Sequence, residues 1–366
     1  MDWSCTGKGI SLLGVTMVYH LVTTPSFATD ETQRIYKSAQ YLTRGDTGIA
    51  IADGIEAIHY NPAGIATGKG IYKETVLGSP MIEFSANTKD LIRKFALENK
   101  TGAEPLAAEI GKNQHLGIYN ISGLAFRRAA LGATISNQTN LLPALDPEGG
   151  GLPIVSAGSY TNQVLHFTLA EQFFSKNFSM GTTVKYITRN TAELEVAIAE
   201  ANDLEIDGEE LVNTGTATAA DLGLMFKTSS KRSPFSLGLT VQNVGDASFK
   251  GLEETDKVAK LKQTVNLGLA IEPGTRFSKF RFLLDVRDLG STTDKNGFKK
   301  IHIGSEITIR KFLGLGAGLN QGYPSFGAHL NLYVIRFDIG AYTQEVGARV
   351  GERPDTRYFM RITAGF

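Results

Sequence analysis

The feature that most constrains this chain is a device repeated from about residue 115 to its end. Stretches of about ten residues with every second position apolar alternate with polar or glycine-rich turns. Leu165, Phe167 and Leu169 share one parity, and Phe178, Met180, Val184 and Tyr186 share the next. The series runs on through Leu222, Leu224 and Phe226, then Phe235 to Val241, Val265 to Ile271, Phe280 to Val286 and Ile301 to Ile309. Leu313, Leu315, Ala317 and Leu319 alternate with Gly314, Gly316 and Gly318. Ala328, Leu330 and Leu332 are even-numbered, whereas Ile335, Phe337, Ile339 and Ala341 are odd, so two strands meet in a tight hairpin at Tyr333-Val334. The last segment carries Tyr358, Met360, Ile362, Ala364 and Phe366 on one face.

Runs of nine to eleven residues cross a membrane when tilted, whereas strands of soluble sheets average about five or six. A sheet in hydrocarbon must close on itself, because every peptide group needs a partner and an edge has none. The pattern therefore predicts an all-β fold, a transmembrane antiparallel β-barrel of about 14 strands, counting weaker ones near 70 to 78, 115 to 124 and 126 to 136. A secreted β-sandwich also alternates, but it seldom ends on an unprotected strand and an aromatic residue. Tyr358, Met360, Ile362 and Phe366 are expected to form the strand that the barrel-assembly machinery receives.

At the other end, Lys8 precedes an apolar run from Ile10 to Val22, and Ser26-Phe27-Ala28 follows the small-x-small cleavage rule. Residues 1–28 read as a signal peptide cleaved after Ala28, which implies the bacterial outer membrane for a barrel. The single cysteine, Cys5, lies within that leader, so no disulfide or thiolate metal site is expected. Lysine plus arginine number 37, as do aspartate plus glutamate, so no basic excess points to nucleic acid.

Residues 30–69 do not alternate. Gly48 to Ile58 is small and mixed, suited to short helical turns and too rich in glycine for a long helix. Asn61-Pro62-Ala63-Gly64 forces a break, since the residue before proline leaves the helical region and asparagine bonds its own backbone. Residues 29–69 thus read as a compact N-terminal hatch, or more plainly as an arm packed on the periplasmic rim, with 70–366 as the barrel.

Gly45-Asp46-Thr47-Gly48-Ile49-Ala50-Ile51-Ala52-Asp53, followed by Ala57, Tyr60 and Asn61-Pro62-Ala63-Gly64, resembles the N-terminal signature of the FadL/TodX superfamily of outer-membrane transporters. It is most similar to the PorV/PorQ-like branch and related spirochaete barrels. Val241-Gln242-Asn243-Val244-Gly245-Asp246 and Ile303-Gly304-Ser305-Glu306 agree with that branch. The resemblance implies a fourteen-stranded barrel plugged by a hatch that holds Asn61, Pro62 and Ala63. It further implies passage of long-chain fatty acids or aromatic hydrocarbons by a kinked strand and a shifting hatch or, in PorV-like members, a part in protein secretion and surface attachment. Aquaporins share Asn-Pro-Ala but need apolar helices of about twenty residues, which the chain lacks after its leader.

Thr88 to Gly111 reads as a helical extracellular insertion, with Asn87 or Thr88 as its cap, Leu91, Ile92, Phe95 and Ala96 on one side, and a second helix starting at Pro105. A second long loop near 137–162 carries Leu141, Leu142, Leu145, Leu152 and Ile154; with Leu91, Ile92 and Phe95 these form a candidate apolar entry groove. The acidic run from Glu193 to Glu210 reads as a solvated loop without calcium-loop spacing. His59, His115, His166, His302 and His329 stand apart in sequence, with no zinc or nucleophile-elbow motif. No catalytic residue, metal or cofactor is expected.

These readings converge on a channel for passive uptake of hydrophobic small molecules such as long-chain fatty acids. A PorV-like secretion component, whose loops recognise a secreted protein, is the rival, and a general porin the third. Membrane lipid and lipopolysaccharide are the surroundings expected of any of them.

Overall fold

The computed structural model describes residues 29–67, 72–96, 103–146, 151–174, 177–200, 211–228, 230, 233–253 and 257–365. Residues 1–28, read from the sequence as a leader ending at Ala28, together with Phe366 and most of the acidic run, lie outside them.

The alternating stretches form strands that begin with β1 (Tyr72–Gly78), β2 (Met81–Ser85), β3 (Gln114–Phe126) and β4 (Ala129–Leu145). Next come β5 (Pro153–Phe173), β6 (Phe178–Ala197), β7 (Val212–Lys227), β8 (Phe235–Gln242) and the two-residue β9 (Lys250–Gly251). The series closes with β10 (Thr264–Ile271), β11 (Ser278–Val286), β12 (Ile301–Ile309), β13 (Leu313–Asn320), β14 (Tyr323–Leu332), β15 (Ile335–Glu345) and β16 (Pro354–Gly365). Neighbours pair antiparallel in chain order, β9 standing aside against β7. Both β1 and β2 pair with β16 on one side and β3 on the other, so they are two halves of one stave and close the sheet. Counted so, the barrel has fourteen staves, and its closure removes the edges that hydrocarbon forbids.

The divided stave breaks at Ser79-Pro80. Towards β16 the pairing runs on, Gly78 facing Ala364 and Met81 facing Arg361. Towards β3, Val76 faces Gly123 but Met81, five residues on, faces Tyr119, four back, so one residue bulges. Side chains replace the missing ladder there: the Ser79 amide donates to Asn120 Oδ1 at 2.9 Å, and Ser122 Oγ donates to the Leu77 carbonyl at 3.0 Å.

The expected parities face outward. Phe167, Val184, Phe282, Ile303, Leu315, Ile339 and Met360 are all exposed, whereas the alternate positions are buried inside. The hairpin at Tyr333-Val334 is present, Leu332 pairing with Ile335. Tyr358, Met360 and Ile362 lie on the outward face of β16.

One rim has short turns, such as Arg127-Arg128 and Tyr333-Val334, and the other carries α4 (Ala86–Ala96), α5 (Ala103–Ala107) and the long β8–β10 connection. In barrels of this kind the short turns are periplasmic. At the long-loop rim β4 to β7 run well past the apolar band. Residues 137–145 and 153–162 are paired strand and not the long loop read from the sequence. Outward-facing Asn137, Thr161, Asn190 and Thr214 sit side by side across the four strands. Four residues nearer the membrane are Ala133, Leu165, Tyr186 and Thr218, in the second row below, where the apolar surface begins. The polar rows broke the apolar alternation, which is why they looked like loop.

Candidate functional site

Residues 31–67 lie within the barrel, and most of them are buried. They form α2 (Ala39–Leu42), α3 (Ala57–Tyr60) and two short 3₁₀ turns, Gly54–Glu56 and Pro62–Ala66. The segment enters high, where Gln33 bonds the Lys260 carbonyl and the Lys262 amide of the β8–β10 connection, and leaves low, where Lys73 at the start of β1 holds the Gly64 carbonyl. It is therefore a lumen segment and not an arm on the rim.

What lets a folded chain lie so close to the wall is a run of inward glycines. Gly181 pairs with Gly223, Gly238 with Gly268 and Gly304 with Gly318 across adjacent strands. A Cβ on Gly181 would come within 2.5 Å of the Pro62 backbone, one on Gly268 within 2.7 Å of Ile49 Cβ, and one on Gly304 would overlap the Arg44 carbonyl. In the Gly314 to Gly318 strand, Gly316 lies against Thr43 and Gly318 against Gly45, while Gly314 makes space for the His329 ring.

Two motifs hold the segment. In Asn61-Pro62-Ala63-Gly64, Asn61 caps the turn by accepting from the Ala63 amide at 3.1 Å, and proline fills a first-turn position that needs no donor. The Asn61 amide group then donates to the Ile49 and Leu224 carbonyls, at 2.9 and 3.1 Å. In Gly45-Asp46-Thr47-Gly48-Ile49, Gly45 takes φ 73° and packs against the Ile303 and Leu319 carbonyls, a place only glycine fits. The amides of Gly48 and Ile49 both donate to Asp285 Oδ2, at 2.7 and 3.1 Å.

Asp46 gathers Arg34, Tyr60 at 2.9 Å and Arg287 at 2.8 Å. Burial alone would raise its carboxyl, but Arg287 and Arg34 outweigh burial and hold it below the usual carboxylate range. Arg44 pairs with Glu306, which also pairs with Arg281 of β11, and Lys37 pairs with Glu83 at 2.9 Å. Glu31 meets Arg357; against the upward push of burial, Arg357, His115 and Lys37 bring its carboxyl down to about 2. Partners such as Arg44 and Glu306 lie 262 residues apart, so no local signal could have paired them.

The histidines, isolated in sequence, are not all isolated in space. His59 and His166 rings meet at 4.5 Å, and Thr134 Oγ1 lies 2.8 and 3.2 Å from their Nε2 atoms. His302 and His329 are buried on the lumen side of the wall, on the parity opposite to outward Ile303 and Ala328. Among the described residues no group of three histidine, cysteine, aspartate or glutamate side chains is placed to hold a metal, and no helix is long and apolar enough to cross a membrane.

One lumen cavity, of 80 Å³, lies at the long-loop end and is lined by polar groups such as Arg34, Lys185, Asp221 and Arg287. A second, of 60 Å³, lies at the short-turn end beside Asp53, Lys227 and Glu272. Drug-sized ligands need about 300 Å³ or more and mostly apolar walls.

The candidate groove is not assembled as expected. α4 is present, but Ser85 caps it, accepting from the Thr88 amide at 3.1 Å, in place of Asn87 or Thr88. The second helix begins at Ala103, before Pro105. Leu91 is half-buried and Ile92 exposed, and the Phe95 side chain lies outside the described residues. Leu141, Leu142 and Leu145 belong to β4, with Leu142 buried and Leu145 exposed on the other face, so they do not form one apolar surface. Glu193 and Glu195 likewise belong to β6 and bond Tyr160 and Ser156, not a loop.

The family model described as "F plasmid transfer operon, TraF, protein" matches residues 152–286. No curated protein matches the chain. Among solved structures, the CymD monoaromatic hydrocarbon channel is 10% identical with a TM-score of 0.51, over 89% of this chain and 96% of that one. The Ralstonia pickettii toluene transporter TbuX is 11% identical with a TM-score of 0.50, over 88% and 96%. The chain is thus similar in fold, over most of its length, to these two barrels.

Proposed function

We propose that this protein is an outer-membrane channel for hydrophobic small molecules, closed at rest by residues 29–69 acting as a hatch. The observation that carries the reading is the seat of that segment: backbone against wall glycines, fixed by Asn61 and Asp46, in a barrel with the fold of CymD and TbuX. The two proteins are described as a hydrocarbon channel and a toluene transporter, so an aromatic or alkyl hydrocarbon is the substrate class that the likeness favours. The lumen cavities formed by the described residues at Arg34 and Lys185 and at Lys227 and Glu272 are small and polar, so a fatty acid must meet a rearranged hatch to pass. The break at Ser79-Pro80, where side chains stand in for the ladder towards β3, is the weakest point of the wall and the place where a hydrophobic molecule would leave sideways into the membrane.

The test is a lock. Thr43→Cys with Gly316→Cys places two thiols where Thr43 Oγ1 lies 2.8 Å from the Gly316 Cβ direction, in a mature chain otherwise free of cysteine; that Cβ also stands 2.9 Å from the Thr43 carbonyl, so the reduced variant, and not the wild-type chain, is the reference. Cells expressing the variant should take up radiolabelled toluene or oleate only when the bridge is reduced. Equal uptake by locked and reduced protein defeats the hatch, and a large steady conductance in planar bilayers would point to a general porin.

A second reading has its own support. The polar extension of β4 to β7 presents a flat row of Asn137, Thr161, Asn190 and Thr214 above the membrane, a surface suited to a protein partner in secretion or surface attachment. Loss of particular surface proteins on deletion, without any change in hydrocarbon uptake, would favour it.

A further inference from the structure

The chain is neutral overall, yet its short-turn rim is not. Arg127 and Arg128 join β3 to β4, Arg276 lies between β10 and β11, and Arg310-Lys311 joins β12 to β13. All but half-buried Arg127 are exposed. Among the described residues of these turns the one carboxylate is Glu272, which is buried and taken up by Lys227 at 2.7 Å, Arg281 at 3.2 Å and Lys279. Arg128 has Glu171 at 3.0 Å beside it, on an exposed surface where such a pair contributes little.

These cations do not stand out in open solvent. Each turn sets them next to an exposed aromatic at the lower edge of the apolar band: Phe126 beside Arg127, Phe277 beside Arg276, Phe312 beside Lys311. The Arg276 and Arg310 guanidinium groups, from adjacent hairpins, both lie over the Phe277 ring, at 5.8 and 5.9 Å. Aromatic rings of this kind mark headgroup depth. The turn at Arg310-Lys311 adds a second observation. Both residues have positive φ, 48° and 60°, where hairpin turns favour Asn-Gly. Two basic side chains are thus displayed at a position that turn chemistry gives to other residues.

We propose that the short-turn rim binds the phosphate headgroups of anionic phospholipid in the leaflet that faces it. A soluble acidic partner would meet these cations only by displacing lipid from the rings between them, whereas a headgroup phosphate lies at their level. The guanidinium groups give paired donors to phosphate oxygens, and the rings flank the glycerol region.

The test uses the full mature chain, purified in detergent and exchanged into equal mixtures of phosphatidylglycerol and phosphatidylcholine, with retained lipid read by native mass spectrometry. Retention of phosphatidylglycerol over phosphatidylcholine is expected at low salt, with the preference falling at high salt. Arg310→Asn with Lys311→Gly installs the favoured turn pair, so the barrel should keep its heat-modifiable migration while the preference drops by about fivefold per charge removed. Adding Arg127→Gln and Arg128→Gln should abolish it. Equal retention of both lipids by the wild-type chain at low salt overturns the proposal, as does an undiminished preference in the fourfold variant. Full competition by inorganic phosphate at the same concentration also overturns it, since that result makes the site one for a soluble anion.

Discussion

The side-chain amide of Asn61 donates to the main-chain oxygen of Leu224 in β7, so the lumen segment is bonded to the wall's backbone as well as to its side chains. Asn61 makes three hydrogen bonds while fully buried. Asn61→Ala should cost the segment's attachment about 1–3 kcal/mol, because the Ile49 carbonyl and Ala63 amide lose a partner. Asn61→Asp should cost more, since a carboxylate would face two carbonyl oxygens. Limited proteolysis of the segment, with the barrel still migrating as folded on unheated gels, measures both.

A methyl group on the glycine track should dislodge the segment without opening the barrel. At Gly223 a Cβ would overlap Asn61 Oδ1 and stand 2.9 Å from Pro62 Cδ, and at Gly304 it would overlap the Arg44 carbonyl. Gly223→Ala and Gly304→Ala are each expected to weaken the seat by about 1–3 kcal/mol of overpacking. Single-channel recording in planar bilayers should show more frequent openings in both than in the wild-type protein; unchanged closure would mean that the segment does not control the pore.

Acid should loosen the segment in two steps. Burial first, then His166, Lys185 and Arg34, push the His59 imidazole well below its ordinary 6.5, so it is neutral when seated and takes up a proton once released. Its contribution is therefore whole above pH 6.5 and lost as pH falls below that. Glu31, whose carboxyl is held at about 2 against an ordinary 4.5, contributes above 4.5 and loses that contribution between 4.5 and 2. Protease accessibility of residues 29–67 followed against pH should show both steps, and His59→Gln should diminish the upper one, the remainder coming from His166 beside His59 and His302 beside the Gly45 carbonyl.

The stave broken at Ser79-Pro80 should be the fastest-exchanging part of the wall. Asn120→Ala removes the acceptor that the Ser79 amide uses at 2.9 Å and should raise hydrogen exchange at Ser79 while leaving β12 and β13 unchanged. If exchange at Ser79 matches that of the unbroken staves in the wild-type protein, the break is not a weak point.

The lipid-facing surface was legible because it has a period of two and hydrocarbon tolerates no exceptions on it. Phe282, Ile303 and Ile339 could be placed outward, and the Tyr333-Val334 turn located, from parity alone. Parity failed where the wall leaves the membrane. Asn137, Thr161 and Asn190 face water, so Leu141, Leu142 and Leu145 were assigned to a loop when they continue β4. The asparagine-proline motif pointed to a break, and capping geometry bears that out. What Asn61 bonds, or that Arg44 finds Glu306, depends on closing the ring and carries no local trace. The division of the first stave was hidden too, since proline at position 80 reads equally well as a turn.

With the segment withdrawn, the surface left behind would include bare peptide at the glycine pairs and charged side chains such as Glu306 and Arg281, which water solvates readily, beside an apolar patch of Val76, Met81, Tyr119, Ile121 and Phe359, which it does not. A stopper resting on grease alone would be trapped by the cost of wetting what it covers. Where this one rests on charge and backbone amide it exchanges its partners for water on leaving, so those bonds position it closely while the apolar patch on one side sets the cost of its release.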